Sequence, residues 1–482
     1  MLWGLNLLRR LAILVLVCML FTSTAAFLQV SAAPRIIIVP DNYPTITAAI
    51  ANAANGDVIY VRDGVYNDSA FIINKSITIQ GEDVKNTIIN LTPTVTSVYS
   101  SYFNRTYFFP ADAIKINADN VKISDITVSS TGGITGNGSG IAIVSNIITF
   151  GTTCSITGSK VTVERNTLNC GDWRLTGSNL TLAENKINAN SVGVSINGSY
   201  CYLYGNIING TLVVWGSVNT ITHNSYDLMF IYYGDNNTVQ GNSGDISLGN
   251  SDQSCSNNVV SGNLMKGPSV WGIWIGQFCR NNVFYDNYIE DEGYASNGWN
   301  YNSGVIFCNE YGAIGTNNIF YHNAFVNNSI NVRFYNNEST GGNIWDNGVQ
   351  GNYWSDYNGS GDTPYVINSE NRDNHPLTAP FDPPTISIAP PVYDPPIDES
   401  QLSQSLTSTP TLTPTTNPPQ PATSNTPIEQ PATTSNLASL LTVLSSPVFG
   451  TLAIILAAAV IFVTTALLLL FRWHRKTANL KQ

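Results

Sequence analysis

A short β-like motif recurs along this chain and closes each time on an asparagine. Copies include Ser159-Lys-Val-Thr-Val-Glu-Arg-Asn166, Ser178-Asn-Leu-Thr-Leu-Ala-Glu-Asn185 and Asn281-Asn-Val-Phe-Tyr-Asp-Asn287. The closing asparagines fall at 166, 185, 206, 224, 242, 263, 287, 323 and 347, in steps of 19, 21, 18, 18, 21, 24, 36 and 24 residues. A period of roughly 21 residues with short strands marks a solenoid. Helical repeats need longer units, and leucine-rich repeats need a leucine framework absent here. Each period has room for two or three short strands separated by Asn or Gly, so the chain should coil into a parallel β-helix. About 13 coils stacked about 4.8 Å apart would make a rod about 60 Å long. At its corners Asn tolerates left-handed backbone, and stacked Asn side chains can hydrogen-bond along the column.

The composition suits such a rod. Charged residues make up 11% of the chain and hydrophobic ones 43%, so the surface is polar without being ionic. A net charge of −11 excludes a basic nucleic-acid footprint. The N-terminal edge of the rod needs a cover, because an open β-edge invites aggregation. The run from Pro44 to Ala54, Ala-rich and followed by Asn55-Gly56, is expected to be a capping helix.

The flanks differ from the body, which spans 34–382. Residues 1–33 carry Arg9 and Arg10, an apolar run from Leu11 to Phe21 and small residues at Ser31, Ala32 and Ala33, the pattern of a secretory signal peptide. Residues 383–445 hold 13 of the 23 prolines and no Lys or Arg, which suits a disordered, O-glycosylated stalk. Residues 446–471 end in an uncharged run from Pro447 to Phe471, long enough for one transmembrane helix. The basic tail 472–482, with Arg472, Arg475 and Lys476, should stay in the cytoplasm. The expected protein sits on the cell membrane by a single pass, with its body outside.

The opening Val39-Pro-Asp-Asn-Tyr-Pro-Thr-Ile with Gly56-Asp-Val-Ile-Tyr-Val-Arg-Asp-Gly64-Val-Tyr66 resembles pectin-lyase-like proteins. The close, Gly351-Asn-Tyr-Trp-Ser-Asp-Tyr357 with Gly361-Asp-Thr-Pro-Tyr365 and Asp373-Asn-His-Pro-Leu377, resembles the NosD-like group of that superfamily. The resemblance implies an all-β, single-stranded right-handed parallel β-helix. It also implies either a copper-associated role or a carbohydrate-binding or sugar-hydrolysing one. Fold is better transferred this way than activity.

Three functions compete on the residues. Polysaccharide hydrolysis needs two carboxylates about 5–9.5 Å apart. The repeat frame shows no column of acids, and the Asp-Asp, Gly-His-Gly and Arg-Ile-Lys signatures of polygalacturonase relatives are absent. The body has 28 acids against 15 bases, a net of −13 that repels acidic polymers. Copper binding needs sulfur or imidazole donors. The body offers Met229, Met265, His223, His322 and His375, scattered along the repeat, so a copper site is not expected. The favoured reading is a non-catalytic surface module for a cell-surface glycan or an envelope protein. Its ligand-binding residues would be Glu290, Asp291, Glu292, Tyr294, Trp299, Tyr301 and Tyr311, gathered by the 36-residue step between Asn287 and Asn323. Aromatic faces beside acids suit a sugar's C–H face and hydroxyls. The acidic trio also has oxygen ligands for Ca²⁺.

Outside the signal peptide the cysteines number six, and none forms a CxxC motif. Cys255 and Cys279 each lie eight residues before their closing Asn, so they share a column on consecutive coils. Stacking would put their Cα atoms about 4.8 Å apart, within disulfide reach, and a bond between them is expected. The twelve glycosylation sequons are about what an Asn-rich chain gives by chance.

Overall fold

The computed structural model describes residues 34–100, 102, 105–249, 254–292, 302–308, 315–335 and 342–393. The expected signal peptide, transmembrane helix and basic tail lie outside these residues, as do Tyr294, Trp299, Tyr301 and Tyr311. No helix among the described residues is long and apolar enough to cross a membrane.

The described chain is a parallel β-solenoid. One face is a sheet of thirteen parallel strands, from Ile36–Val39 to Ile319–Tyr321. The other two faces form one 21-stranded sheet, because the strands Lys186–Asn197, Ile207–Trp215 and Ser225–Tyr232 run through the corner between them. Strands of three residues suffice because only the central one must point inward. In the first sheet Ile79, Ile123, Ile143, Val163, Leu182, Leu203, Ile221, Val239, Val260, Phe284 and Phe320 stack in strict register and are all buried. Each such side chain contributes roughly 1.5–3 kcal/mol of hydrophobic stabilisation.

The capping helix forms at Ile46–Asn52, where Thr45 Oγ1 accepts the Ala48 N–H at 3.1 Å. It buries Ile46, Ala49 and Ile50 over the first coil. Tyr393, which follows the rod in sequence, donates its hydroxyl to Thr167 Oγ1 on a middle coil at 2.7 Å. The start of the expected stalk is therefore docked on the body.

The asparagine column is a continuous ladder from Asn146 through Asn166, Asn185, Asn206, Asn224, Asn242, Asn263, Asn287 and Asn323 to Asn352. Each member's backbone N–H and Nδ2 both donate to Oδ1 of the next coil's Asn. Every member is fully buried, so the amides answer backbone groups that water cannot reach. A shorter second ladder joins Asn219, Asn237, Asn258, Asn282, Asn318 and Asn343.

Two expectations change here. The ladder asparagines are not the left-handed residues. The residue just before each one from Asn146 to Asn323 is, as at Arg165 (φ 53°), Glu184 (54°), His223 (55°) and His322 (50°). That residue bends the strand end and delivers the next side chain inward. Asn347 is not in the ladder. Its Oδ1 accepts the N–H groups of Val349 and Gln350 in a tight turn, and Asn352 takes the expected place.

The long step adds no extra coil, because Asn287 hydrogen-bonds directly to Asn323 at 2.9 Å. Its added length falls at 293–301 and 309–314, on either side of the ordinary strand Ser303–Phe307.

The expected disulfide is not formed. Cys255 and Cys279 are buried thiols whose Sγ atoms donate to Ile231 O at 3.0 Å and Leu248 O at 3.2 Å. Column stacking brings them into side-chain contact, and each S–H serves a carbonyl of the coil before it.

Candidate functional site

The second and third faces meet at a corner where the coils lose strict register. Pairing shifts between Ser225 and Leu228, so Leu228 opposes Asp245. Gly244 makes the shift with φ 131°, and a Cβ there would stand 2.1 Å from Tyr226 O. Two acids emerge from these irregular coils, Asp227 exposed and Asp245 half-buried. Two coils further on, Glu292 turns into the same corner with no exposed surface. Gly272 leaves room for it, since a Cβ there would lie 3.2 Å from Glu292 Cγ.

Ser269 joins the two enclosed carboxyls. Its Oγ lies 2.6 Å from Asp245 Oδ2, 2.5 Å from Glu292 Oε2 and 3.0 Å from Trp271 O. Burial pushes Asp245 up to about 8, helped by the charges of Glu292 and Asp227 and opposed by the Ser269 hydrogen bond. Burial also raises Glu292. Tyr226 Oη and Glu292 Oε1 are buried there without a hydrogen-bond partner. Burial, then Asp245, raises the Tyr226 phenol.

Half-buried aromatic rings cover the adjoining outer face. The Trp271 and Trp274 centroids are 5.0 Å apart, and those of Phe230 and Tyr232 are 5.3 Å apart. Trp215 packs on Tyr232 at 4.7 Å and on Tyr233 at 6.2 Å. Phe230, Ser247 and Trp274 occupy one register column. Tyr233 then borders an open cleft of about 500 Å³ with Ser254, Ser256, Phe278 and Arg280.

The acidic trio of the sequence reading is split by this geometry. Glu290 pairs with Lys266 Nζ at 2.8 Å, Asp291 takes a left-handed conformation at φ 59°, and only Glu292 joins the cluster. The described residues stop at Glu292 and resume at Asn302, next to Ser303–Phe307, which pairs with the strand Trp271–Ile275. Sequence reading missed Asp227, Asp245 and Ser269. One signal was available: both aspartates lie three residues after their ladder Asn.

The model of the family described as periplasmic copper-binding protein (NosD) matches residues 114–359, just over half of the chain. The chain belongs to the NosD family. No curated protein sequence matches it. The catalytic domain of a GH87 α-1,3-glucanase in complex with nigerose is 14% identical over 67% of this NosD-family chain and 70% of its own, with a TM-score of 0.47. A PL6 alginate lyase in complex with a trisaccharide is 13% identical, covers 77% and 97%, and has a TM-score of 0.49. The A-module of the Azotobacter vinelandii mannuronan C-5 epimerase AlgE4 is 13% identical, covers 62% and 88%, and has a TM-score of 0.38. These likenesses concern the fold.

The family description raises copper, and the donors of this NosD member do not fit it. Among the described residues no three His, Cys, Asp or Glu side chains converge on one point. Met229 and Met265 are packed in the core. The Nδ1 atoms of His223, His322 and His375 are held by Thr222, Asp286 and Asp346, and none of these histidines belongs to a group of three donors. The acidic trio does not act together as a Ca²⁺ cage either, since Glu290, Asp291 and Glu292 take the three separate roles above.

Proposed function

We propose that the outer face carrying Trp215, Phe230, Tyr232, Trp271 and Trp274 binds a neutral cell-surface polysaccharide. The observation that supports this is a patch of half-buried rings, Trp215 beside Phe230 and Tyr232 on adjacent coils and Trp271 with Trp274 one coil beyond Ser247, next to a corner of carboxyls. Aromatic faces of this kind meet the C–H faces of sugars while neighbouring acids accept hydroxyl protons. The body's net charge of −13 disfavours uronate polymers. Tyr294, Trp299, Tyr301 and Tyr311 lie outside the described residues and stand as candidates on their sequence alone.

Affinity electrophoresis in gels containing neutral polysaccharides tests this. At least one polymer should retard the wild type, and W274A with Y232A should lose most of that retardation without a change of fold by circular dichroism. Retardation unaffected by these changes would move the ligand elsewhere, with an envelope protein as the remaining partner. We also infer export through residues 1–33 and a single-pass anchor at 446–471, supported by their apolar patterning. Ending the chain at residue 445 should then release the body in soluble form.

A further inference from the structure

We propose that the β-ribbon formed by Val95–Ser100 and Arg105–Pro110 docks into the headgroup region of a lipid bilayer through aromatic side chains on both of its faces. This is independent of the glycan reading and rests instead on the single-pass anchor inferred above.

The ribbon stands apart from the solenoid. Its strands pair antiparallel, from Val95 with Pro110 to Ser100 with Arg105, whereas the strands of the coils pair in parallel. It is inserted between Thr87–Thr92 on the second face and Ile114–Ile116 on the third. Among the described residues neither of its strands joins the rod's sheets.

Pairing decides which side chains share a face. Tyr99 lies opposite Thr106 and Ser97 opposite Phe108, so Tyr99 and Phe108 occupy one face. Tyr107 and Phe109 alternate with Phe108 along their strand, so they occupy the other, with ring centroids 6.4 Å apart. Phe108 is 70% exposed and Phe109 51%, so neither face is buried against the rod. Tyr102, in the connection between the strands, is 88% exposed.

A two-stranded ribbon by itself is at best marginally stable in water, and exposed aromatic surface on both sides marks a contact site. A flat protein partner, or a second copy laid against one face, would leave the other face in water. A medium that surrounds the ribbon covers both. The interfacial zone of a bilayer is such a medium, and it favours Tyr rings while taking up the apolar rings of Phe108 and Phe109. Depth follows from the backbone. The ribbon's outer edges join no further strand, so their N–H and C=O groups need water or headgroups and bar it from the hydrocarbon core.

Charge agrees with this partner. No Asp or Glu occurs from residue 84 to 111, where Lys85 and Arg105 stand, although the body carries a net of −13. The ribbon can therefore approach anionic lipids without the repulsion that the rest of the body meets. The anchor would hold the body beside the bilayer, where tethering makes a weak contact effective.

The full chain reconstituted into vesicles of phosphatidylcholine and phosphatidylglycerol tests this. An environment-sensitive dye is attached at S97C, or at S139C as a control on the rod, both exposed positions. Protein without an added cysteine is the blank, since the six native thiols of the body are buried. Emission from S97C should shift to the blue and fall by about half with a nitroxide near the lipid headgroup, and by less with one deep in the acyl chain. Emission from S139C should not change. F108S with F109S should abolish both effects at S97C while circular dichroism and flotation with the vesicles stay as in the wild type. A blue shift without nitroxide quenching, rising with protein density in the vesicles, assigns the ribbon to a second copy and overturns the proposal. Flotation reads the anchor and quenching reads the ribbon. Protein that floats without quenching overturns the ribbon proposal alone, and protein that does not float overturns the anchor as well.

Discussion

Trp354 Nε1 donates to Asp373 Oδ2 at 2.9 Å, and neither residue has exposed surface. The same oxygen accepts the Asn352 N–H at 2.6 Å, and Oδ1 accepts the His375 N–H at 3.0 Å. Asp373 therefore ends the asparagine ladder as an acceptor for three donors. Trp354 is sandwiched between Phe325 at 4.4 Å and Tyr365 at 4.3 Å. The closing motif of the family resemblance is thus a cap for the last coil. D373A should cost roughly 3–5 kcal/mol, because it leaves buried donors without an acceptor. Urea denaturation followed by tryptophan fluorescence measures it, and a loss below about 1 kcal/mol would remove Asp373 from this role.

An interior rung should be as costly as the last one. Asn224 Nδ2 donates to Leu203 O, Thr222 O and Asn242 Oδ1, while its own Oδ1 accepts twice from Asn206. N224A should destabilise by about 3–5 kcal/mol through the orphaned groups. N224D restores the acceptor without the donors and should fall in between. Equal stability of all three proteins by chemical denaturation would show that the ladder adds nothing.

Stability should fall as pH rises through the neutral range. Asp245 has a folded value of about 8, raised first by burial, against about 3.9 in the unfolded chain. Between these values the folded state holds a proton the unfolded state has lost, so each step up in pH favours unfolding. Its contribution is complete below about pH 4 and gone above about pH 8. Asp227, Glu292, Ser269 and Tyr226 face this carboxyl. Glu292 is raised in the same direction and steepens the trend. In a series of urea midpoints from pH 4 to 9, D245N should flatten the decline, and a wild-type midpoint that rises across this range would refute the linkage.

The cysteines should behave as enclosed thiols. Cys154, Cys170, Cys201, Cys255, Cys279 and Cys308 are all buried and unbridged. Iodoacetamide should leave them unmodified in the native rod and alkylate all six after denaturation without reductant. A Cys255–Cys279 cross-linked peptide in a non-reducing digest would restore the bond expected from the column.

Much of the fold was legible in the residues because a solenoid repeats one local problem. The spacing of Asn166, Asn185 and Asn206 carries the coil period. The alternation around Val163, Leu182 and Leu203 carries the inward face. The Ala-rich run after Pro44 carries the cap. What tertiary structure alone decided lies where coils depart from the average. Asn352 rather than Asn347 takes the ladder because a turn absorbs the four residues between them. The corner cluster arises because a register shift at Ser225 and Gly244 turns Asp245 beside a Ser and a Glu that are 24 and 47 residues further along the chain. Periodicity in sequence encodes contacts between equivalent positions. A site assembled from non-equivalent positions on several coils depends on the rise of the rod, which places them side by side only once it is wound.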